Sequence, residues 1–223
     1  MIYVVLSLGK SGSSLLAETL HKAGVPAFEH NSTHNGTHRY EDEKVCDVNR
    51  DFFYPNHQSM NMTYPVIKET SPEVYDRMKC AVRDGAGQYP NYCIKDPRMS
   101  YTYHLWEKVL PEHKLIIQFR NPSEVCEHYV NIKRKPGIPK NISDRYMHVY
   151  LKAIEHSKNH ESLFISHLSL LNFELDKLAK FTGCTFEKSQ AKELQYRCRN
   201  EHKYLRDDTK ELFSKLIRLE NVW

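Results

Sequence analysis

The sequence predicts an α/β fold, a mostly parallel β-sheet flanked by helices. Three observations lead there. Short β-branched and aliphatic runs recur along the 223 residues. Each is followed by a helical pattern of ten or more residues, and turn or capping signals stand at the joins. Strands alternating with helices imply βαβ units and a sheet covered on both faces. One domain accommodates the whole chain, 1–223.

Ile2 to Leu6 is the first strand, and Leu15, Leu16, Leu20 and Ala23 mark a helical stripe over Ser13 to Ala23, closed by Gly24. His30 to His38 is polar and aperiodic, hence a loop, and Glu41 to Phe53 is a weak helix. Tyr64 to Lys68 is a second strand candidate. Ser71 and Pro72 then cap and open a helix toward Val82, with Gly85 and Gly87 as its stop. Tyr92 to Lys95 is a strand, and Ser100 to Leu110 a helix ending before Pro111.

Lys114 to Phe119 is the strongest strand. Behind it, Asn121, Pro122 and Glu124 supply an N-cap, a first-turn proline and a capping-box glutamate. Lys133 to Lys140 is a basic break, and Ser143 caps a helix to about His160. Ser162 to His167 is a fifth strand, Leu168 to Phe181 a helix closed by Gly183, and the remainder is charged and helical.

Lys and Arg total 32 against 28 Asp and Glu, with 13 His, for a net charge of +4. So mild a balance argues against a nucleic-acid partner. No run of roughly 18 apolar residues exists to suggest a membrane span, and the apolar start is broken by Gly9 and Lys10. The expectation is a soluble, cytoplasmic chain. A trimmed lumenal segment would read the same, and only then would the sequons at Asn31, Asn35, Asn61 and Asn141 matter. Six scattered cysteines, with no C-x-x-C pair, read as free and mostly buried thiols.

Chemistry concentrates in two places, both beyond the carboxyl ends of strands, where open α/β sheets bind ligands. Ser7 to Ser14 joins the first strand to a helix N-terminus. Gly9 and Gly12 allow close backbone approach there, while Lys10 and the serines add charge and donors for an anion. A plain βα turn would need less. The triphosphatase loop places Lys directly after its second glycine, whereas Lys10 precedes Gly12. The strong strand also ends in Arg120-Asn121 rather than in an acid that would hold a metal. Arg120 is placed for bidentate phosphate binding, or else for an ion pair at the sheet edge.

Lys10-Ser11-Gly12-Ser13-Ser14-Leu15-Leu16 resembles the K/R-S-G-T/S-T/S-x-L loop of the sulfotransferase family, which cradles the 5′-phosphosulfate of PAPS (3′-phosphoadenosine-5′-phosphosulfate). Arg120-Asn121-Pro122-x-Glu124-Val125 resembles that family's R-N-P-x-[ED]-x segment, whose Arg binds the 3′-phosphate. A Ser usually follows eight positions later. Here it is His128, which either keeps the contact through its imidazole or marks weaker selection for that phosphate. Lys95-Asp96-Pro97-Arg98 with Trp106, and Tyr40-Glu41-Asp42, resemble further family segments. At Phe164 to Leu168 the family's acidic pair is absent.

The resemblance implies a P-loop-like, three-layer α/β/α fold and a PAPS-dependent sulfotransferase, releasing PAP and needing no metal. Its acceptor would be the hydroxyl or amine of a carbohydrate or small molecule. Lys10, Ser11, Gly12, Ser13, Ser14, Arg120 and His128 would hold the donor, and Lys10 would also stabilise the leaving phosphate. Glu41 is the expected base, with His30, His34 and His38 as alternatives; their spacing would suit a metal on a helix, but they read as loop. Tyr101, Tyr103 and Trp106 line a pocket or belong to the core, and Arg197 and Arg199 are further phosphate candidates. The competing readings are a P-loop kinase and a non-catalytic nucleotide-binding module.

Overall fold

In a computed structural model, residues 1–27, 40–53, 69–129, 141–187 and 205–222 are described. The runs that read as strands form them: β1 (Ile2–Leu6), β2 (Tyr92–Lys95), β3 (His113–Phe119) and β4 (Ser162–Ser166). All pair parallel, in the order β2-β1-β3-β4. The candidate strand Tyr64 to Lys68, the histidine loop, the basic break and Arg197 and Arg199 lie outside the described residues.

Every residue of β1 is buried, because alternate side chains enter two separate cores. Tyr3 and Val5 pack with Leu16 and Leu20 of α1 (Ser13–Lys22) and with Leu170 and Leu178 beyond β4. Ile2, Val4 and Leu6 pack on the opposite face. That face is covered by α2 (Glu43–Phe53), α3 (Pro72–Gln88), α4 (Met99–Trp106), α5 (Pro122–Glu127), α6 (Ile142–His156) and the final helix. The result is a three-layer α/β/α arrangement. Tyr103 and Trp106 belong to its core, Trp106 wholly buried. No helix among the described residues is long and apolar enough to cross a membrane.

Several boundaries differ from the sequence reading for visible reasons. Helix α3 runs through Gly85 and Gly87 to Gln88. Gly85 is a packing position, since a Cβ there would lie 2.6 Å from the Tyr92 ring. Ser143 lies inside α6, behind Asn141, and its hydroxyl accepts from the Arg206 N–H (3.3 Å) instead of capping. Leu168 to Phe181 is two helices, α7 (His167–Leu171) and α8 (Asp176–Thr182), because Phe173 takes a left-handed φ of 59° between them. Glu220, at the end of α9 (Asp207–Glu220), accepts from the Ser166 N–H (2.7 Å) and the Ser169 hydroxyl (2.8 Å), bringing a carboxylate to the end of β4. Cys46, Cys93 and Cys126 are buried thiols as expected, but Cys80 is exposed on α3.

Candidate functional site

The chain leaves β1 toward β2 on one side of the sheet and leaves β3 toward β4 on the other. A crevice at such a switch point is where open α/β sheets bind ligands. It brings together Lys10, Ser11, Gly12, Ser13 and Ser14 after β1 with Arg120 after β3. Lys10 (φ 72°) and Gly12 (φ 97°) both take left-handed backbone, folding the loop tightly before α1 starts. Gly12 is the N-cap of α1 and provides no side-chain cap. A helix start of this kind points N–H groups and a partial positive charge into the crevice.

Side chains from four other elements hold the loop. The Leu8 N–H donates to the Tyr150 hydroxyl (3.3 Å), which also pairs with Ser11 Oγ (3.1 Å) and donates to the Gln118 carbonyl (3.0 Å). Burial pushes this phenol's pKa up to about 12, although its bonds to Ser11 and Leu8 pull the other way. Gln118 Nε2 donates to the Ser11 carbonyl, and the Ser7 N–H donates to Ser100 Oγ (2.7 Å). The Tyr129 hydroxyl lies 3.4 Å from where a Cβ on Gly9 would stand. His167, 4% exposed, covers Gly12. Its Nδ1 has no partner among the described residues, and burial with the nearby Arg120 holds its pKa down to about 4.

Arg120 Nε donates to Glu124 (2.6 Å), a terminal nitrogen reaches the Lys10 carbonyl (3.5 Å), and the Arg120 carbonyl accepts from Tyr146 (3.1 Å). Glu124 thus orients the guanidinium from within the same segment, and the contact with the Lys10 carbonyl ties the two loops together. Asn121 caps α5 by accepting from the Ser123 N–H (2.9 Å). His128 is the C-cap of α5, with its ring edge-on to Tyr129.

The third part of the site comes from Lys95. Register places Lys95, the last residue of β2, beside Val5 of β1, one residue before the end of that strand. Its side chain is 1% exposed, and Nζ donates to Ser14 Oγ (3.1 Å) and to Glu41 Oε1 (2.7 Å). Glu41 is therefore not a solvated carboxylate. The positive φ of Tyr40 (49°) and the Asp42 cap on the Val45 N–H (3.1 Å) fix the chain on either side of it. The buried Cys46 thiol, its pKa pushed up by desolvation, lies 3.8 Å from the other Glu41 oxygen.

Behind Lys95, Asp96 accepts from Asn49 Nδ2 (2.8 Å) and from Arg98 Nε (2.9 Å). Asn49 in turn accepts from Thr102 (2.8 Å) and Trp106 (3.0 Å). This network clamps α2, and with it Glu41, to the end of β2. Sequence reasoning passed over Tyr150, Gln118 and His167. Gln118 alone carried a signal, as a polar residue within the apolar run of β3.

A donor with anionic groups suits this crevice. The space beside Gly12 is filled by the His167 ring, which leaves no room for a side chain at residue 12. No protein-family model and no curated protein matches the chain. Solved structures do, two sulfotransferase domains among them. The sulfotransferase domain from the Synechococcus PCC 7002 olefin synthase aligns over 97% of this chain and 94% of its own, at 15% identity and a TM-score of 0.55. The sulfotransferase domain from the curacin biosynthetic pathway aligns over 97% of both chains, at 13% identity and a TM-score of 0.59. This chain thus has the α/β fold of those sulfotransferase domains.

Proposed function

We propose that this protein is a PAPS-dependent sulfotransferase acting on a hydroxyl or amine of a carbohydrate or small-molecule acceptor. The observation that carries the reading is the meeting, at one switch point, of the Gly12 loop, Arg120 and the Lys95–Glu41 pair. PAPS would supply an activated sulfuryl group, whose bond from sulfur to the 5′-phosphate oxygen breaks as the acceptor oxygen or nitrogen bonds to sulfur, the electron pair leaving with the phosphate. The loop N–H groups, Ser13 and Ser14 bind phosphate oxygens, Ser11 serves the donor by fixing the loop through its buried bonds to Leu8 and Tyr150, and Lys10 neutralises charge on the departing oxygen. Arg120, its guanidinium oriented by Glu124, serves the 3′-phosphate, with His128 assigned beside it. Glu41 takes the acceptor's proton.

A phosphoryl-transferring enzyme is the weaker reading. Its loop lysine would follow Gly12, and an acid would stand where β3 ends in Arg120. Thermal unfolding separates the two: PAP raises the melting temperature in the absence of magnesium. No shift at millimolar PAP, with stabilisation by Mg-ATP instead, would establish the kinase.

A further inference from the structure

The Lys95 ammonium stands between two oxygens with different roles. Ser14 Oγ, 3.1 Å away, belongs to the first turn of α1, where the donor's anionic end would lie; Glu41 Oε1, 2.7 Å away, belongs to the proposed base. With the Lys95 side chain 1% and that of Glu41 14% exposed, little water screens the pair, and neither group is held by chance surface contact. The backbone on both sides is fixed, by β2 pairing at Lys95 and by the Asp42 cap and Asn49 clamp at Glu41. An anion arriving at Ser14 therefore meets an ammonium already engaged by a carboxylate.

Resting on the proposed function, we infer that Glu41 is an internal competitor for the sulfuryl group: it and the loaded donor bid for the same Lys95 ammonium, so that seating PAPS releases Glu41 while seating PAP does not. The two molecules differ only in the sulfuryl group. Whatever Glu41 withholds from Lys95 thus appears in the ratio of their affinities. By linkage, a donor that draws Lys95 away from Glu41 is weakened by Glu41 to the same extent. The arrangement would keep the base ion-paired until a transferable group is present and would restore that pairing once PAP remains.

The test is a double-mutant cycle on binding, read by calorimetry with PAPS and PAP separately and needing no acceptor. Glu41→Gln keeps an acceptor oxygen but removes the charge. It should raise the preference for PAPS over PAP by about tenfold. Lys95→Met should abolish that preference, and Glu41→Gln should then have no further effect on it. Equal gains for PAPS and PAP in Glu41→Gln would indicate general charge repulsion and overturn the inference, as would an unchanged ratio.

A measurement on the unsubstituted protein guards against misfolded variants. Carbodiimide coupling of glycine amide to Glu41, followed by mass spectrometry, should be faster with PAPS bound than with PAP bound. Equal rates would also overturn the inference. Failure of the wild-type protein to bind either nucleotide would instead refute the sulfotransferase reading itself.

Discussion

The imidazole of His167 occupies the space where a side chain on Gly12 would begin: a Cβ at residue 12 would stand 2.2 Å from Nδ1. Gly12→Ala therefore meets two penalties, the overlap and the left-handed φ of 97°. Together they should cost about 3 kcal/mol and abolish stabilisation by PAP. The double variant Gly12→Ala/His167→Ala should recover the overlap but not the backbone part. Chemical denaturation of the three proteins measures both.

His167 also sets an acid limit. Its pKa is held at about 4 in the folded chain by burial and by Arg120, against 6.5 when exposed. Between those values the unfolded chain takes up a proton that the native one refuses. The stabilisation is complete above pH 6.5 and is lost as pH falls toward 4, by about 1.4 kcal/mol per pH unit. Burial also depresses His113, His148 and His156, so the wild-type slope is steeper than one proton's worth. His167→Gln should flatten the profile of urea midpoints against pH by one proton. An unaltered slope would show that His167 titrates as an exposed group.

Gly85→Ala should destabilise the protein even though alanine is the better helix former. The propensity gain is about 1 kcal/mol. The added Cβ lies 2.6 Å from a Tyr92 ring that is 1% exposed and bonded to the Val82 carbonyl (3.1 Å), so the ring has nowhere to go. A net loss of about 1–2 kcal/mol follows from overpacking. A rise in melting temperature would mean that Tyr92 yields.

Lys10→Gly separates binding from folding. Lys10 has a left-handed φ of 72°, which glycine adopts without a Cβ penalty. Stability should stay within about 1 kcal/mol of wild type, because the relief of strain offsets the added unfolded-state entropy. The response to PAP and any sulfuryl transfer should fall at least about 100-fold. Titration calorimetry and a melting curve on the same sample check both parts.

Much of the architecture was legible because its signals are local. Ile2 to Leu6 is a continuous apolar run, Leu115 to Ile117 form the apolar centre of another, and Pro72 and Pro122 stand at helix starts as their fixed φ requires. Gly85 was misread because a glycine that makes room for a ring is written like one that ends a helix. Phe173 gave no sign of breaking its helix, since a left-handed aromatic is a tertiary outcome. In the site, the Gly12 loop, Arg120 and Glu41 were each legible alone. What escaped was tertiary pairing: Lys95 meets Glu41 through the clamp of α2 on the end of β2, and His167 meets Gly12 through the order of the strands that precede them.

The three bonds of the Tyr150 hydroxyl have a consequence for how this crevice meets its ligand. They join the strand floor to the loop above it through a single side chain of α6. Under the proposed function, a loop braced in this way would be shaped before its anion enters, with little ordering entropy left to lose on binding. A new donor preference on this scaffold would then arise from exchanged side chains at the rim, with the backbone mould unchanged.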